Sequence, residues 1–169
     1  ETVGEAAFRL IKKASELIDM SKHSGEHPRM GATDVCPFVP VAGVTMEDCI
    51  KVAHEVGERV GQELGIPGYF YESAAKRPER KNLAVCRKGQ YEGLGKLSTE
   101  EGAPDFGPAD FNETARRTGA TAVGARDFLI AYNINLNTTS SRRANAIAFD
   151  IREAGRIKKR DGLTGPAIL

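Results

Sequence analysis

The chain has 169 residues, 40% hydrophobic and 28% charged, with a formal net charge of +1 from 24 basic and 23 acidic side chains. That length suits one domain with a core of ordinary size, and the composition is globular rather than disordered. The near balance of charge argues against a dedicated nucleic-acid binder, and no apolar run approaches the roughly 20 residues that span a bilayer. Cys36, Cys49 and Cys86 are widely spaced and odd in number. They read as free thiols in a reducing cytoplasm, without zinc-ligand spacing. The expectation is no metal, no nucleic acid and no membrane.

Residues 2–20 carry apolar side chains at Val3, Ala7, Leu10, Ile11, Ala14, Leu17 and Ile18. Steps of three and four predict an amphipathic helix, with Lys12, Lys13 and Glu16 on its wet face. Val35-Cys-Pro-Phe-Val-Pro-Val41 reads as a strand whose prolines suit an end or an edge. Thr45 can cap the next helix, with Asp48 completing a variant of the capping box, and Gly65 ends that helix. Residues 66–71 form a second short strand. The section holding Lys76, Arg77, Arg80, Lys81, Arg87 and Lys88 reads as a solvated basic face on short helices, and residues 102–118 as a loop.

The strongest strand pattern lies further on. Phe128, Ile130, Tyr132, Ile134 and Leu136 share one face, and Leu129, Ala131, Asn133 and Asn135 the other. A last helix over residues 140–154 is expected to bury Ala144, Ile147, Ala148 and Ile151, leaving residues 159–169 as a basic, unpatterned tail. Strands separated by helices argue for a layer of helices packed on one sheet.

Between the first helix and the first strand, residues 23–34 gather histidines, acids, an arginine, glycines and a proline. A polar loop held by rigid neighbours is well placed to act on a ligand. Pro28 biases His27 toward extended backbone. His23 and His27 stand four apart, but Gly25 and Pro28 break the helix that would make them metal ligands. Histidine titrates near neutral pH, so His27 can serve as a general acid/base, with Glu26 or Asp34 orienting its ring. Arg29 can hold an anionic substrate through a bidentate contact. A structural surface histidine is the competing reading, and composition alone favours neither. Asp105-Phe-Gly107 matches the kinase metal-binding tripeptide in letters only, since no glycine-rich loop or catalytic-loop pattern accompanies it.

Four motifs then act together: Gly25-Glu-His-Pro-Arg-Met-Gly-Ala32 with Asp34-Val-Cys-Pro-Phe38, Ala103-Pro-Asp-Phe-Gly-Pro108, Gly119-Ala-Thr-Ala-Val-Gly-Ala-Arg126, and Phe128-Leu-Ile-Ala-Tyr-Asn-Ile-Asn-Leu136. In this order the sequence resembles the glutamate formimidoyltransferase family over residues 1–158, its N-terminal subdomain. The resemblance implies an α+β fold: a ferredoxin-like α/β sandwich, its mixed β-sheet packed by helices on one face. The reaction it implies moves the formimino group of N-formimidoyl-L-glutamate to the co-substrate tetrahydrofolate, in histidine degradation. His27 takes the place of the family's catalytic histidine. One neutral histidine can take the proton from the attacking folate nitrogen and deliver one to the departing glutamate nitrogen.

The family's folate loop corresponds to Gly107, Pro108, Ala109, Asp110, Phe111, Asn112, Glu113, Thr114, Ala115, Thr118 and Gly119. Arg29, Arg126, Asn133 and Asn135 are added from the residue pattern as groups for the carboxylates or the pterin. Family members begin with a strand region that carries an acidic partner for the histidine, and they continue into a second subdomain that supports a homodimer. The chain starts after that strand, so it is expected to be a fragment. A non-catalytic folate-binding module and a glutamate formyltransferase relative are the alternatives.

Overall fold

The computed structural model describes residues 2–25, 27–131, 133–151, 157–160 and 163–166. Capping sets where the helices begin. Thr2 accepts the Glu5 amide at 3.3 Å and opens α1 (Val3–Leu17), which buries Phe8 and Ile11. Val3, Leu10 and Leu17, expected on the inner stripe, face outward at 65%, 70% and 72% exposure. The stripe is rotated toward Phe8. A short 3-10 turn, Met20–Lys22, follows and buries Met20.

β1 (Val35–Phe38) stops before the second proline of its segment. It lies at a sheet edge, where Pro37 loses no ladder bond. In α2 (Met46–Arg59) the capping box is complete: Thr45 accepts the Asp48 amide at 3.2 Å, and Asp48 accepts the Thr45 amide at 3.0 Å. The helix widens into a π-turn, Val60–Leu64, and Gly65 closes it in the left-handed region at φ +63°. β2 spans Gly68–Glu72. The basic section then winds through a 3-10 turn (Pro78–Lys81), α3 (Leu83–Cys86) and a second 3-10 turn (Tyr91–Lys96). Inside the stretch expected as loop, α4 (Glu113–Thr118) forms under an Asn112 cap. β3 (Thr121–Ala125) is buried along its whole length.

β3 is central in the order β1-β3-β2, and both pairings are parallel. Val123 lies opposite Cys36 on one side and Phe70 on the other. Phe70 and Val123 point toward Phe8, Ile11, Ala53, Val56 and Val60 of the long helices. Tyr69, Tyr71 and Ala122 point the other way, onto Met30, Leu94, Leu97 and Ala115. The α+β sandwich is therefore present. Its three strands run parallel rather than mixed, and short helices cover the second face as well as long ones the first. Burial on both faces explains why β3 reads as small apolar residues without alternation.

In the segment with the strongest alternation, none of the described residues lies in a strand. Phe128, Leu129 and Ile130 are 71%, 72% and 88% exposed, and no described strand pairs with residues 128–136. Period-two patterning describes a surface that could be half-buried; pairing needs a partner edge. Tyr132 lies outside the described residues.

Residues 129–169 form a separate unit from residues 1–128. It contains α5 (Ser141–Ile151), on which Ile147 and Ile151 are 43% and 51% exposed rather than buried as expected. The expected tail includes an antiparallel ladder between β4 (Ile157–Arg160) and β5 (Leu163–Pro166), with Ile157 opposite Pro166. Among the described residues no helix is long and apolar enough to cross a membrane.

Arg80 corrects the reading of a solvated basic face, since it is only 3% exposed. It donates to Asp105 at 2.5 Å and to the Ala103 carbonyl at 2.6 Å, over the ring of Tyr69. The other Asp105 oxygen accepts the Phe70 amide at 2.8 Å. The pair joins β2 to the start of the 107–119 loop. Removing one partner strands a buried charge, so Asp105→Ala is expected to lower stability by about 3–5 kcal/mol. Urea unfolding at neutral pH measures this, and a loss under 1 kcal/mol would refute the anchoring role.

Candidate functional site

His27 is exposed at a bend on the approach to β1, outside any helix, as the following proline favours. No described residue hydrogen-bonds its ring, and Glu26 lies outside the described residues. The remainder of the loop is firmly held. Arg29 has a side chain only 14% exposed and grips Glu92 with both arms, at 2.8 and 2.9 Å. It also donates to the His23 carbonyl at 3.1 Å, and the guanidinium lies 5.9 Å from the centre of the Tyr91 ring. The fork expected to meet an anionic substrate is thus filled by a carboxylate of the protein itself. That contact holds the Glu92 carboxyl down at about 2, far below the usual carboxylate range, and raises the Arg29 guanidinium in turn.

Asp34 does not orient the histidine either. One of its oxygens accepts the Met30 amide at 2.8 Å, and the other accepts from Arg87. Both bonds fix the backbone beyond His27.

The loop is also stitched to the end of the 107–119 segment. The Ala120 amide donates to the Met30 carbonyl at 2.9 Å, and the Ala32 amide to the Thr118 carbonyl at 2.8 Å. Gly31 and Gly119 face each other as an antiparallel bridge between these bonds. A Cβ on Gly31 would run into the Ala120 carbonyl, and one on Gly119 into that of Met30. Gly119 moreover sits at φ +68°, open to glycine and strained for other residues. His27 is three residues from Met30, so about 11 Å of chain at most separates it from this junction.

The residues of the 107–119 segment divide by exposure. Gly107, Ala109, Asp110, Phe111 and Glu113 are exposed, while Pro108, Asn112 and Thr114 are half-buried. Ala115, Thr118 and Gly119 are buried. The Thr118 hydroxyl donates to the carbonyls of Thr114 and Gly119, at 2.9 and 3.0 Å, and Asn112 accepts the Ala115 amide at 2.9 Å. The buried members build the loop. The exposed ones, led by the Phe111 ring, form the face open to a ligand.

Arg126 sits at the other end of β3, where its amide donates to the Phe38 carbonyl at 3.0 Å. Some 16 Å of strand therefore lies between it and the Gly119 junction. Asn133 and Asn135 are exposed and belong to the second unit. A cavity of about 490 Å3 opens elsewhere, floored by Tyr69, Cys86, Leu94 and Leu97; neither His27 nor residues 107–119 line it. Burial pushes the Cys86 thiol up to about 11, away from reactivity. Among the described residues no group of three or more His, Cys, Asp or Glu side chains could hold a metal ion.

Tyr91, Glu92 and Arg87 were not expected at the site. They reach it from 53 to 63 residues away in sequence, across the second face of the sheet. Their one local signal is Gly89-Gln90, both at positive φ, +86° and +56°.

Comparison with known proteins identifies the family to which this small parallel sheet and its loops belong. Residues 1–126 match the family model for the formiminotransferase domain, N-terminal subdomain, and residues 131–166 match that for the formiminotransferase domain. The chain belongs to the formiminotransferase family. It is 54% identical to the glutamate formimidoyltransferase of Streptococcus pyogenes serotype M1 over 156 residues, 92% of this chain and 51% of that protein. Identity to the glutamate formimidoyltransferase of Thermoplasma acidophilum is 51%, covering 88% of this chain and 48% of the relative. The formimidoyltransferase-cyclodeaminase of Mus musculus is 52% identical over 96% of this chain and 29% of its own length. The chain thus spans about half of the two glutamate formimidoyltransferases and less than a third of the formimidoyltransferase-cyclodeaminase.

The Arg29–Glu92 pair makes a pH prediction. A carboxyl held at about 2 when folded and near 4.5 when unfolded adds stability above pH 4.5, and that stability fades as pH falls toward 2. Glu92→Gln removes the effect at every pH. Its melting temperature is expected to lie below the parent's at pH 6 and to converge with it near pH 2. A constant gap from pH 6 to 2 would show that the pair is not the source.

Proposed function

We propose that this chain supplies the catalytic histidine and the folate-facing loop of a glutamate formimidoyltransferase. In this reading the formimino group of N-formimidoyl-L-glutamate passes to tetrahydrofolate. The supporting observation is the bond between two loops: the His27 loop and the 107–119 segment meet at Met30–Ala120 and Gly31–Gly119. The names of the relatives supply the substrate class.

His27 is exposed at a bend, with its ring available to a ligand. One ring nitrogen accepts the proton lost by the attacking amine, and the imidazolium returns a proton to the departing glutamate nitrogen. Bound tetrahydrofolate supplies the nucleophilic nitrogen. The 107–119 face fits such a ligand: Phe111, 39% exposed, offers a ring edge-on to Tyr91, 6.0 Å between centroids, and Asp110 offers a carboxylate beside it. Aromatic and polar groups side by side suit a flat heterocycle with hydrogen-bonding edges. Arg29 holds the histidine loop in place through Glu92, so its role is to position rather than to touch the substrate.

In a full-length context, His27→Ala is expected to reduce formimino transfer by about a hundred- to ten-thousand-fold while tetrahydrofolate binding persists. Transfer at the normal rate by that variant would sink the assignment. Loss of folate binding together with activity would instead point to a structural role.

A further inference from the structure

We infer that Tyr91 is a positioning residue that sets the distance between the catalytic histidine and the folate-facing loop. The inference rests on the reading of those two loops given above. Tyr91 touches both of them through separate groups. On the histidine side its amide donates to the Arg29 carbonyl at 2.9 Å, and its ring lies 5.9 Å from the Arg29 guanidinium. On the folate side its hydroxyl donates to the Arg116 carbonyl at 2.5 Å, and its ring meets that of Phe111 at 66°, 6.0 Å between centroids. Arg116 follows the buried Ala115 in α4, so this bond fixes the helix that closes the 107–119 segment.

The chain around Tyr91 is built to hold it there. Gln90 adopts φ +56°, uncommon for a residue with a side chain. Strain of this kind persists where surrounding contacts over-determine it, and it gathers at functional sites. The contacts are present: Gln90 and Glu92, on either side of Tyr91, both accept from Arg29. Three successive residues therefore clamp the histidine loop, and the middle one also reaches the other loop. The backbone junction at Gly31–Gly119 ties the loops at one end, and Tyr91 ties them at the side.

The two halves of this bridge can be cut separately. Tyr91→Phe removes only the hydroxyl and leaves the ring against Arg29 and Phe111. It is expected to raise KM for tetrahydrofolate about threefold to tenfold, the worth of one hydrogen bond, with kcat within twofold of the parent. Tyr91→Leu removes the ring as well and is expected to lower kcat in addition, by roughly tenfold, as the histidine loop loosens. KM for N-formimidoyl-glutamate remains within twofold in Tyr91→Phe. Amide hydrogen exchange on the same full-length proteins reads the coupling without turnover. It is expected to speed up over residues 107–119 in both variants, and over residues 27–31 in Tyr91→Leu alone. The inference is overturned if Tyr91→Phe lowers kcat with KM for tetrahydrofolate unchanged, or if exchange in either loop is unaltered in Tyr91→Leu. Should Tyr91→Leu fail to fold, Tyr91→Phe decides alone. A parent protein that transfers no formimino group would refute the functional reading, while the exchange data would still decide whether Tyr91 couples the loops.

Discussion

Parallel pairing governs the rest of the first unit. Two parallel strands cannot be joined by a tight turn, so each connection must leave the sheet, cross a face and return. From β1 to β2 the chain crosses with α2, an amphipathic helix closed by a capping box and a left-handed glycine. From β2 to β3 it crosses the opposite face through short turns and hardly any long helix. An irregular crossover must satisfy its backbone and polar side chains by other means. Arg80, Asp105, Arg87, Asp34, Arg29 and Glu92 serve that purpose: the Arg87–Asp34 and Arg29–Glu92 pairs gather on the approach to β1, and Arg80–Asp105 sits against β2. The candidate site is a by-product of covering this second face.

The division of labour among charged side chains follows. Arg80–Asp105 is fully enclosed and fastens β2 to the start of the 107–119 segment. Arg29–Glu92 is half-open, with Glu92 63% exposed, and fastens the histidine loop. In water such a pair contributes little, but a bidentate fork with low exposure on the arginine side holds geometry well. What is preserved at the surface is the position of the backbone at Met30, not a store of binding energy.

Much of the fold could be read from the sequence, and the errors share a cause. The Thr45–Asp48 cap, the Gly65 stop and the edge position of Pro37 are local rules, and each is seen in the structure. The strand expected over residues 128–136 followed an equally local pattern. β3 lay hidden in Thr121-Ala-Val-Gly-Ala125, whose small side chains carry no alternation because both faces are covered. At the site, the non-helical setting of His27 beside a proline was legible, and the structure places the residue at a bend. The partners of Arg29 and Asp34 were not. Each had a plausible nearby role, acting on substrate or on the histidine ring, and each instead pairs with a residue more than 50 positions away. Short-range reasoning finds which groups could react. It does not find which groups are already taken.

The Gly31–Gly119 bridge has a temporal meaning. It joins residues 88 positions apart, and the Tyr91 clamp joins residues about 60 apart. Contacts at such separation form late, because the intervening chain must close its loop before any bond rewards it. During synthesis the histidine loop emerges first, its Arg29 clamp becomes available with Tyr91 and Glu92, and the glycine junction must wait until residue 120 follows. A cleavage between residues 35 and 106 breaks the covalent path that links the two glycines, even though neither loop is touched. The histidine motif is short in sequence, but the object that would make it an acid/base in a fixed place is nearly the whole of the first unit.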